Sequence, residues 1–413
     1  MAAWKEPPRL YHLLLGKIDY SLVLTGDFHF PRKSRKPGSD FFGLSFRIQT
    51  RKIAAVPKLI TSLFAFIVSL AVPAASHAAG KLDIYWTDME GGAGTLIVTP
   101  AGESILIDTG NPSRPNQQDS SAAGIHAAAV AAGMAKIDHL ILTHFHLDHF
   151  GGAADLSKLM PIGEVLDNGI PDHDPDGATN SARFLKTIQP YRDFKADRRS
   201  VIMPGQHLTL KPSADTAPLT IYCVGCRQQF PAPPNTPTNP CCAMPVEKHP
   251  VDTTDNINSV VMLLQFGPFK CFFGGDLTWN MEGQMVTPCN PVGTVDLYQV
   301  DHHGLNLSNN PMLVRSLSPT VSVMSNGPHK GANPETLATL RSVASIQTMW
   351  QIHFNLLGGQ ECNTDQEYIA NISEKCQGNC IKCAVEPDGK SYTVSIPATG
   401  VSKTYATVLD RPY

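Results

Sequence analysis

The 413-residue chain predicts an α/β fold in which two β-sheets pack face to face and helices cover them. Short apolar runs of strand length occur in groups, and helical stretches separate these groups. Hydrophobic residues make up 42% of the chain and charged residues 17%, so the chain can bury a sizeable core and global disorder is disfavoured. Several apolar runs end directly at histidines or aspartates, which places polar side chains at sheet edges.

The first predicted strands are closely spaced, as in antiparallel hairpins. A helix with Ser120 or Ser121 as its N-cap and a buried strand follow them. The predicted elements are the strands Leu82–Trp86, Thr95–Thr99 and Ser104–Asp108, the Ala-rich helix Ser121–Ala135, the strand Asp138–Thr143 and a helix over 153–160.

A proline-rich stretch, residues 229–250, interrupts the second half and predicts a loop. We interpret it as an insertion and not as a domain boundary, because motifs with ligand-capable side chains lie on both sides of it. The elements predicted after it are the strands Ser259–Phe266, Lys270–Gly274, Val295–Val300, Thr320–Ser325, Ile346–Trp350 and Ser391–Ile396, and the helix Pro334–Ser342.

Residues 51–79 are typical of a secretory signal peptide. Three basic residues precede the apolar run Leu59–Ala75, and small residues follow it. The run contains Pro73 and is shorter than the roughly 20 residues that a membrane helix needs. We therefore predict export to the periplasm or the medium with cleavage after Ala78; the alternative is an uncleaved N-terminal anchor.

This interpretation divides the chain into three parts. Residues 1–50 are predicted to be a disordered extension or a misassigned start, 51–79 the signal peptide, and 80–413 one domain without a membrane span that ends in a Cys-rich segment. All ten cysteines lie after residue 222. In an exported chain an even number favours disulfides, and the alternative is a structural zinc site at Cys376, Cys380 and Cys383.

The central motif follows the buried strand that ends at Thr143. It places four ligand-capable side chains within six residues, His144, His146, Asp148 and His149, and Gly151-Gly152 comes next. The alternative is a surface loop whose histidines have no function, and four ligand-capable side chains within six residues make this interpretation less favourable. The spacing suits two metal ions side by side, and imidazole with carboxylate ligands favours Zn²⁺, with Mn²⁺ or Fe²⁺ as alternatives.

Two later segments repeat the pattern of a strand followed by ligand-capable residues. Asp276 follows Gly274-Gly275, and His302-His303 follow the strand that ends at Val300. Adjacent side chains of a strand point in different directions, so we expect one of the two histidines to be a ligand and the other to donate a hydrogen bond to substrate.

Together these motifs resemble the metallo-β-lactamase superfamily, and in particular the hydrolase domain of ComEC-type competence proteins. The resemblance covers about residues 82–355 and includes Asp88–Thr95, Ile105–Gly110, Asn256–Val261 and Ser325–Pro334. It implies an αββα sandwich with a two-metal site at the sheet edges. Its implied ligands are His144 and His146 for the first ion, Asp148, His149 and His302 for the second, and Asp276 between the two.

The chain departs from many superfamily members at one ligand position. Those members supply a further histidine to the first ion, and this chain has Asn256 and Asn258 in the matching stretch. The first ion is therefore expected to be held more weakly, unless a nearby residue such as His173 or His249 replaces the missing ligand.

The predicted activity is hydrolysis by a metal-bound hydroxide. Asp148 would orient the nucleophile or carry its proton, and His303 or His329 would assist the leaving group. Phosphodiesters are the favoured substrates. An ester or lactone hydrolase is the alternative, followed by a binding protein without catalytic activity.

Charge argues against sequence-independent binding of nucleic acid. Residues 80–413 carry 22 lysines and arginines against 32 aspartates and glutamates. The basic run Arg183–Arg199 is interpreted as a solvated helix face, with a local nucleic-acid patch as the alternative.

Overall fold

The computed structural model describes residues 80–113, 121–245, 247–375 and 377–409, and the backbone of 11–15 and 18–22. The chain divides into two units, Met1–Ser69 and Leu70–Tyr413. In the first unit, strands β1 (Tyr11–Leu15) and β2 (Ile18–Leu22) form an antiparallel hairpin. The predicted signal peptide and Cys376 lie outside the described residues, so the predictions that fall on them stay predictions.

The second unit contains the strands and helices that carry the predicted motifs. Its strands are β3 (Leu82–Trp86), β4 (Thr95–Val98), β5 (Ser104–Ile107), β6 (Ile137–Ile141), β7 (Ile162–Asp167), β8 (Arg198–Val201), β9 (Leu219–Gly225), β10 (Val261–Phe266), β11 (Phe269–Phe273), β12 (Leu297–Gln299), β13 (Val321–Met324), β14 (Thr348–His353), β15 (Ile369–Asn371), β16 (Ile381–Val385), β17 (Ser391–Ile396) and β18 (Val401–Ala406). Its helices are α1 (Ser121–Ala131), α2 (Leu147–Phe150), α3 (Ala153–Leu159), α4 (Ala182–Asp193), α5 (Trp279–Met285), α6 (Pro311–Leu317) and α7 (Pro334–Arg341).

Within the described part of this unit the strands form two sheets. The order of the nine-stranded sheet is β18-β17-β16-β3-β4-β5-β6-β7-β8, and that of the seven-stranded sheet is β15-β14-β13-β12-β11-β10-β9. Strands β5 to β8 are parallel to one another, as are β11 to β15. The carboxyl ends of parallel strands meet at one edge of a sheet, where functional sites of α/β folds usually lie.

Side-chain alternation along the strands separates an inner core from two outer ones. Ile84 and Trp86 of β3 face the inner core together with Phe273 of β11, whereas Leu96 of β4 and Phe272 of β11 face outward. Each such buried apolar side chain contributes roughly 1.5–3 kcal/mol to stability.

Helices cover both outer faces of the sandwich. Residues of α1, α3 and α4 pack on the nine-stranded sheet, and residues of α5, α6 and α7 pack on the seven-stranded sheet. The structure is thus an αββα sandwich, and the fold class predicted from the sequence is confirmed.

Three further predictions can be compared with these elements. The helix predicted over Ser121–Ala135 ends earlier, at Ala131, because Gly133 takes a φ of 81° that ends the helical path. Among its described residues, the predicted loop at 229–250 is irregular apart from a 3-10 turn at Pro240–Ala243 and isolated β-bridges at Gln229 and Thr238. Within the described residues no helix is long and apolar enough to span a membrane.

Nine of the ten cysteines are described, and all nine are free thiols in the structure. Cys271 and Cys383 lie in the inner core, and their burial raises the pKa of both thiols well above the usual range. Such thiols behave as small apolar side chains, which agrees with a structural role and not a catalytic one. The predicted disulfides and the alternative zinc site, which involves Cys376, stay predictions.

Candidate metal centre

The His144–His149 segment begins just after the carboxyl end of β6 and is anchored from the neighbouring strand. The Asp108 carboxylate, directly after β5, accepts hydrogen bonds from the backbone and the hydroxyl of Thr143, both at 2.8 Å. The chain then turns into the single helical turn α2, which carries Asp148 and His149. Asp276 follows β11 and His303 follows β12, so both sheets contribute to the same place.

Four residues present ligand atoms that all lie within 4.8 Å of one another: Asp148, His149, Asp276 and His303. The His149 Nε2 atom is 3.2 Å from Asp276 Oδ2, and the His303 Nε2 atom is 3.3 Å from Asp148 Oδ2 and 3.4 Å from Asp276 Oδ2. The two Nε2 atoms are 3.3 Å apart. Nitrogen and oxygen ligands at such separations match the donor set of a Zn²⁺-type ion.

Two further imidazoles reach Asp276. The Nε2 atoms of His144 and His302 lie 4.0 and 3.4 Å from its Oδ2 atom. Asp276 Oδ2 thus lies among four imidazoles.

His302 and His303 both reach Asp276, although they are neighbours in sequence. Both Nε2 atoms lie 3.4 Å from Asp276 Oδ2, so the assignment of one histidine as ligand and the other as hydrogen-bond donor stays a prediction. Both residues have left-handed backbone conformations, with φ of 52° and 55°, and Gly304 follows at 80°. An extended strand would have sent the two side chains to opposite faces, whereas this turn brings both imidazoles inward. Such a conformation costs about 1–3 kcal/mol per residue and is typical of functional sites.

The Nδ1 atoms of the four buried imidazoles form hydrogen bonds on the side away from Asp276. His149 Nδ1 lies 2.8 Å from Asp108 Oδ2, and the Nδ1 atoms of His144, His302 and His303 lie 2.9–3.1 Å from Thr143 Oγ1, Ser308 Oγ and the Ser325 carbonyl. This arrangement orients the Nε2 atoms toward Asp276, as in metal-ligating histidines. His144 Nε2 is fully buried and has no hydrogen-bond partner among the described residues. Its lone pair and the mixed nitrogen and oxygen donors fit a divalent metal ion.

The electrostatics of the cluster separate two kinds of histidine. Burial lowers the pKa of His144 well below its usual value and that of His302 to about 4, so both are neutral and able to bind a metal. Burial also acts on His149, but the carboxylates of Asp276, Asp108 and Asp148 outweigh it and raise the pKa of His149 well above its usual value.

The two central carboxylates are held ionised. Burial alone would raise their pKa values, yet the neighbouring His149 and His303 lower the pKa of Asp276 well below its usual value. His149, His303 and Lys330 do the same for Asp148. The metal-free cluster is therefore a network of charged hydrogen bonds in which protons and Lys330 balance the carboxylates.

Lys330 and Asp176 contact the cluster and were not singled out in the sequence. The Lys330 ammonium forms an ion pair with Asp148 Oδ2. Lys330 lies within the Ser325–Pro334 segment that carries part of the family resemblance, which is the signal that could have found it. Asp176 lies in a loop without such a motif, and its Oδ1 atom is 3.0 Å from the Nε2 atom of His146.

The remaining candidate histidines lie elsewhere. His329 is exposed and pairs with Glu374, His173 is exposed and pairs with Asp172, and the ring of His249 stacks on Trp279. They are not part of the group of four close ligands.

Three of the six basic residues between Arg183 and Arg199 contact other parts of the chain. Arg192 donates to the Pro171 carbonyl, Arg198 pairs with Glu164, and Arg199 donates to two backbone carbonyls near the end of α4. The run is divided between α4 and β8, and both its interpretation as a solvated helix face and the nucleic-acid alternative stay predictions.

The αββα sandwich has the fold class of the metallo-β-lactamase type, and its imidazoles and carboxylates gather at the carboxyl ends of β5, β6, β11 and β12. Residues 90–217 match the family described as the metallo-beta-lactamase superfamily. This segment includes the His144–His149 motif.

Curated relatives match between 21% and 29% of the chain. A UPF0173 metal-dependent hydrolase of Cupriavidus metallidurans is 40% identical over 90 residues, which are 21% of this chain and 26% of the relative. The atrochrysone carboxyl ACP thioesterase dmxR1 of a Cryptosporiopsis species is 36% identical over 117 residues, 28% of this chain and 32% of the relative. The chain spans 26%, 33% and 40% of the first three relatives.

Solved structures with detectable similarity are more distant. A mutant of the CmlA beta-hydroxylase has a TM-score of 0.37 at 15% identity and covers 66% of this chain and 52% of its own. A diphosphatase from the PhnP family has a TM-score of 0.33 at 13% identity, and the match covers 67% of this chain and 96% of the diphosphatase. The short form of human tRNase Z has a TM-score of 0.31 at 12% identity, and the match covers 74% of this chain and 99% of the tRNase.

Proposed function

We propose that the chain is a metal-dependent hydrolase. The observation that carries the proposal is the convergence of the Asp148, His149, Asp276 and His303 ligand atoms within 4.8 Å. His144 and His146 would hold a first divalent ion, Asp148 and His149 with His302 or His303 a second, and Asp276 would lie between them. Zn²⁺ is the expected metal, with Mn²⁺ or Fe²⁺ as alternatives. Ions in such a site supply Lewis-acid activation of water and of the bond under attack.

The protein's own groups would position the nucleophile and the developing charge. The neighbouring His149, His303 and Lys330 keep the Asp148 carboxylate ionised, so one of its oxygens can accept a hydrogen bond from a water molecule and orient it. The buried His303 imidazole, whose Nδ1 atom donates to the Ser325 carbonyl, is fixed in direction and can assist the leaving group.

Phosphodiesters are the substrate class that we favour. The ComEC-type motifs support this choice, and so does Lys330, which brings a cation to an otherwise acidic site where an anionic substrate would bind. Ester or thioester hydrolysis is the second candidate, because several matched relatives are described as thioesterases. A binding protein without activity would keep the metal and hydrolyse neither class.

The test combines metal content with hydrolysis on the full chain. Wild type, Asp276→Asn and the surface control Asp155→Asn are assayed for bound metal and for turnover of bis(p-nitrophenyl) phosphate, p-nitrophenyl acetate and an acyl thioester. We expect metal and phosphodiester turnover in wild type and control, and loss of both in Asp276→Asn. Turnover of the esters alone would favour the second candidate. A folded wild type that binds no transition metal would refute the hydrolase.

We also propose that the protein is exported, on the basis of the 51–79 segment. Mass spectrometry of the protein recovered outside the cytoplasm should give an N-terminus at Ala79. A membrane-bound product that still contains residues 51–78 would favour the anchor instead.

A further inference from the structure

Cys223 and Cys226 form a C-x-x-C sequence at the end of β9, and both side chains are fully buried. Strict alternation along a strand would place residues three positions apart on opposite faces of the sheet. A β-bulge at Val224 breaks this alternation, because the pairing of β9 with β10 shifts by one residue there. Both cysteines therefore lie in the inner core, whereas Val224 lies on the outer face.

The bulge brings the two thiols into contact. A hydrogen bond joins the Cys223 and Cys226 side chains. The Cys223 Sγ atom also lies 3.4 Å from the carbonyl oxygen of Gly225, which belongs to the peptide bond that precedes Cys226. The group of close metal-ligating side chains found among the described residues contains neither cysteine, so the pair is a dithiol and not part of that metal centre.

A tight turn fixes the position of Cys226. Its amide and carbonyl groups pair with those of Gln229 across the turn, at 3.3 and 3.0 Å. The two residues between them, Arg227 and Gln228, both have left-handed backbones, with φ of 48° and 60°, as in a type I′ turn. The Arg227 amide donates to the Asn258 carbonyl at 3.3 Å, which attaches the turn to the neighbouring segment. The cysteine is thus held toward its partner by the backbone.

We propose that Cys223 and Cys226 are a redox pair that is oxidised to an intramolecular disulfide, and that the structure shows its reduced form. The number of cysteines favours disulfides without giving a pairing, whereas the geometry assigns this one. The inference does not depend on the proposed hydrolase, because neither thiol belongs to the metal centre.

The oxidant is a small-molecule disulfide such as oxidised glutathione. The Cys226 thiolate attacks one sulfur atom of the oxidant, forms a mixed disulfide and releases the first glutathione thiolate. The Cys223 thiol then loses its proton, attacks the Cys226 Sγ atom and releases the second glutathione thiolate. Two protein thiols are thereby oxidised to one disulfide, and the oxidant is reduced to two thiols.

Electrostatics favour Cys226 as the thiolate that attacks first. The hydrogen bond with Cys223 lowers the pKa of the Cys226 thiol, burial opposes this effect, and the Arg227 guanidinium lowers the pKa further. The same hydrogen bond and burial raise the pKa of the Cys223 thiol. Because both side chains are buried in the folded protein, we expect the disulfide to form during folding.

The experiment is peptide mapping of the full chain after refolding in reduced and oxidised glutathione. Free thiols are alkylated with iodoacetamide in denaturant without reductant, and the protein is then digested with trypsin. Trypsin releases residues 200–227 as one peptide, because the lysine within it precedes Pro212 and is not cleaved. This peptide contains Cys223, Cys226 and no other cysteine.

We expect the peptide to lack two hydrogen atoms and to carry no alkyl group, and to carry two alkyl groups when reductant is added before alkylation. Two alkyl groups without reductant would overturn the proposal. So would a peptide linked to glutathione or to any other cysteine of the chain.

Unfolding temperatures of the oxidised protein give a second readout. Cys223→Ala and Cys226→Ala should each lower the unfolding temperature, and the double variant should lose little more, since either change removes the same bond. The control Cys271→Ala removes another buried thiol of the inner core, and its loss should add to that of Cys226→Ala. Losses of Cys223→Ala and Cys226→Ala that add fully would contradict a disulfide between them.

Discussion

The effect on metal affinity of the residues that hold the imidazoles can be measured at Asp108. Its Oδ1 atom accepts the Thr143 amide, and its Oδ2 atom accepts both the Thr143 hydroxyl and His149 Nδ1, each at 2.8 Å. Asp108→Asn keeps the size of the side chain, and asparagine tolerates the φ of 60° at this position. In the variant, the side-chain oxygen of the asparagine would stay at the Oδ1 position and still accept the Thr143 amide. The side-chain nitrogen would then take the Oδ2 position and point an N–H donor at the His149 imidazole.

The expected consequence is a change of tautomer. To accept this hydrogen bond, His149 must give up its Nδ1 proton and keep a proton on Nε2, the atom that faces Asp276 at 3.2 Å. A protonated Nε2 cannot bind a metal, so affinity should fall by about 10–100-fold, the usual effect of losing such a hydrogen bond. This corresponds to about 1.4–2.7 kcal/mol.

Competition titration against a chromophoric chelator measures this affinity directly. Asp138→Asn is the matched control, because its carboxylate also accepts from a backbone amide, that of Ser104, beside β5 and β6 but not at their carboxyl ends. The reasoning is refuted if Asp108→Asn binds metal within twofold of wild type while folded, or if the control loses as much affinity.

Three further perturbations have defined outcomes. In Gly274→Ala the new Cβ atom would lie 2.2 Å from Asp301 Oδ1, so urea unfolding should show a loss of about 1–3 kcal/mol. In Lys330→Met the cation beside Asp148 disappears, so metal should bind more tightly, while KM for a phosphodiester should rise. The raised pKa of His149 gives stability that is present below about pH 6.5 and lost as pH rises through the folded-state pKa. The metal-free protein should therefore lose thermal stability from pH 6 to pH 9, and the gain in unfolding temperature on adding metal should grow over that range.

Each of these outcomes has a clear opposite. Unchanged unfolding of Gly274→Ala would mean that the carboxylate moves away at no cost. Weaker metal binding in Lys330→Met would mean that the ammonium does not compete for Asp148. If the gain in unfolding temperature on adding metal becomes smaller as the pH rises, His149 is not protonated in the metal-free site.

The fold and several residues of the candidate site could be predicted because they depend on local patterns. The strand Leu82–Trp86 has the bounds seen in the structure, since an apolar run between turn residues has few alternatives. The His144–His149 motif was informative for the same reason: its ligands are close in sequence and follow a buried strand.

Other contacts could not be predicted, because they join residues far apart or depend on the backbone. Lys330 meets Asp148 across 182 positions, and Asp176 meets His146 through a loop without a motif. The inward direction of both His302 and His303 depends on two consecutive left-handed residues, a conformation that non-glycine residues seldom adopt. Strand β9 was missed because its mixed composition hides the apolar period.

The position of β3 has a consequence for biosynthesis. One side of β3 pairs with β4, which follows it directly, while the other pairs with β16, made of residues 381–385. Until those residues leave the ribosome, β3 is an open edge, and Ile84 and Trp86 lack the cover of the last three strands. The sheet therefore stays incomplete during the synthesis of the roughly 300 residues between β3 and β16, and an exposed apolar strand edge of this kind favours aggregation of a nascent chain. A premature stop before residue 381 would remove no ligand of the proposed metal centre, yet it would leave a product prone to aggregate.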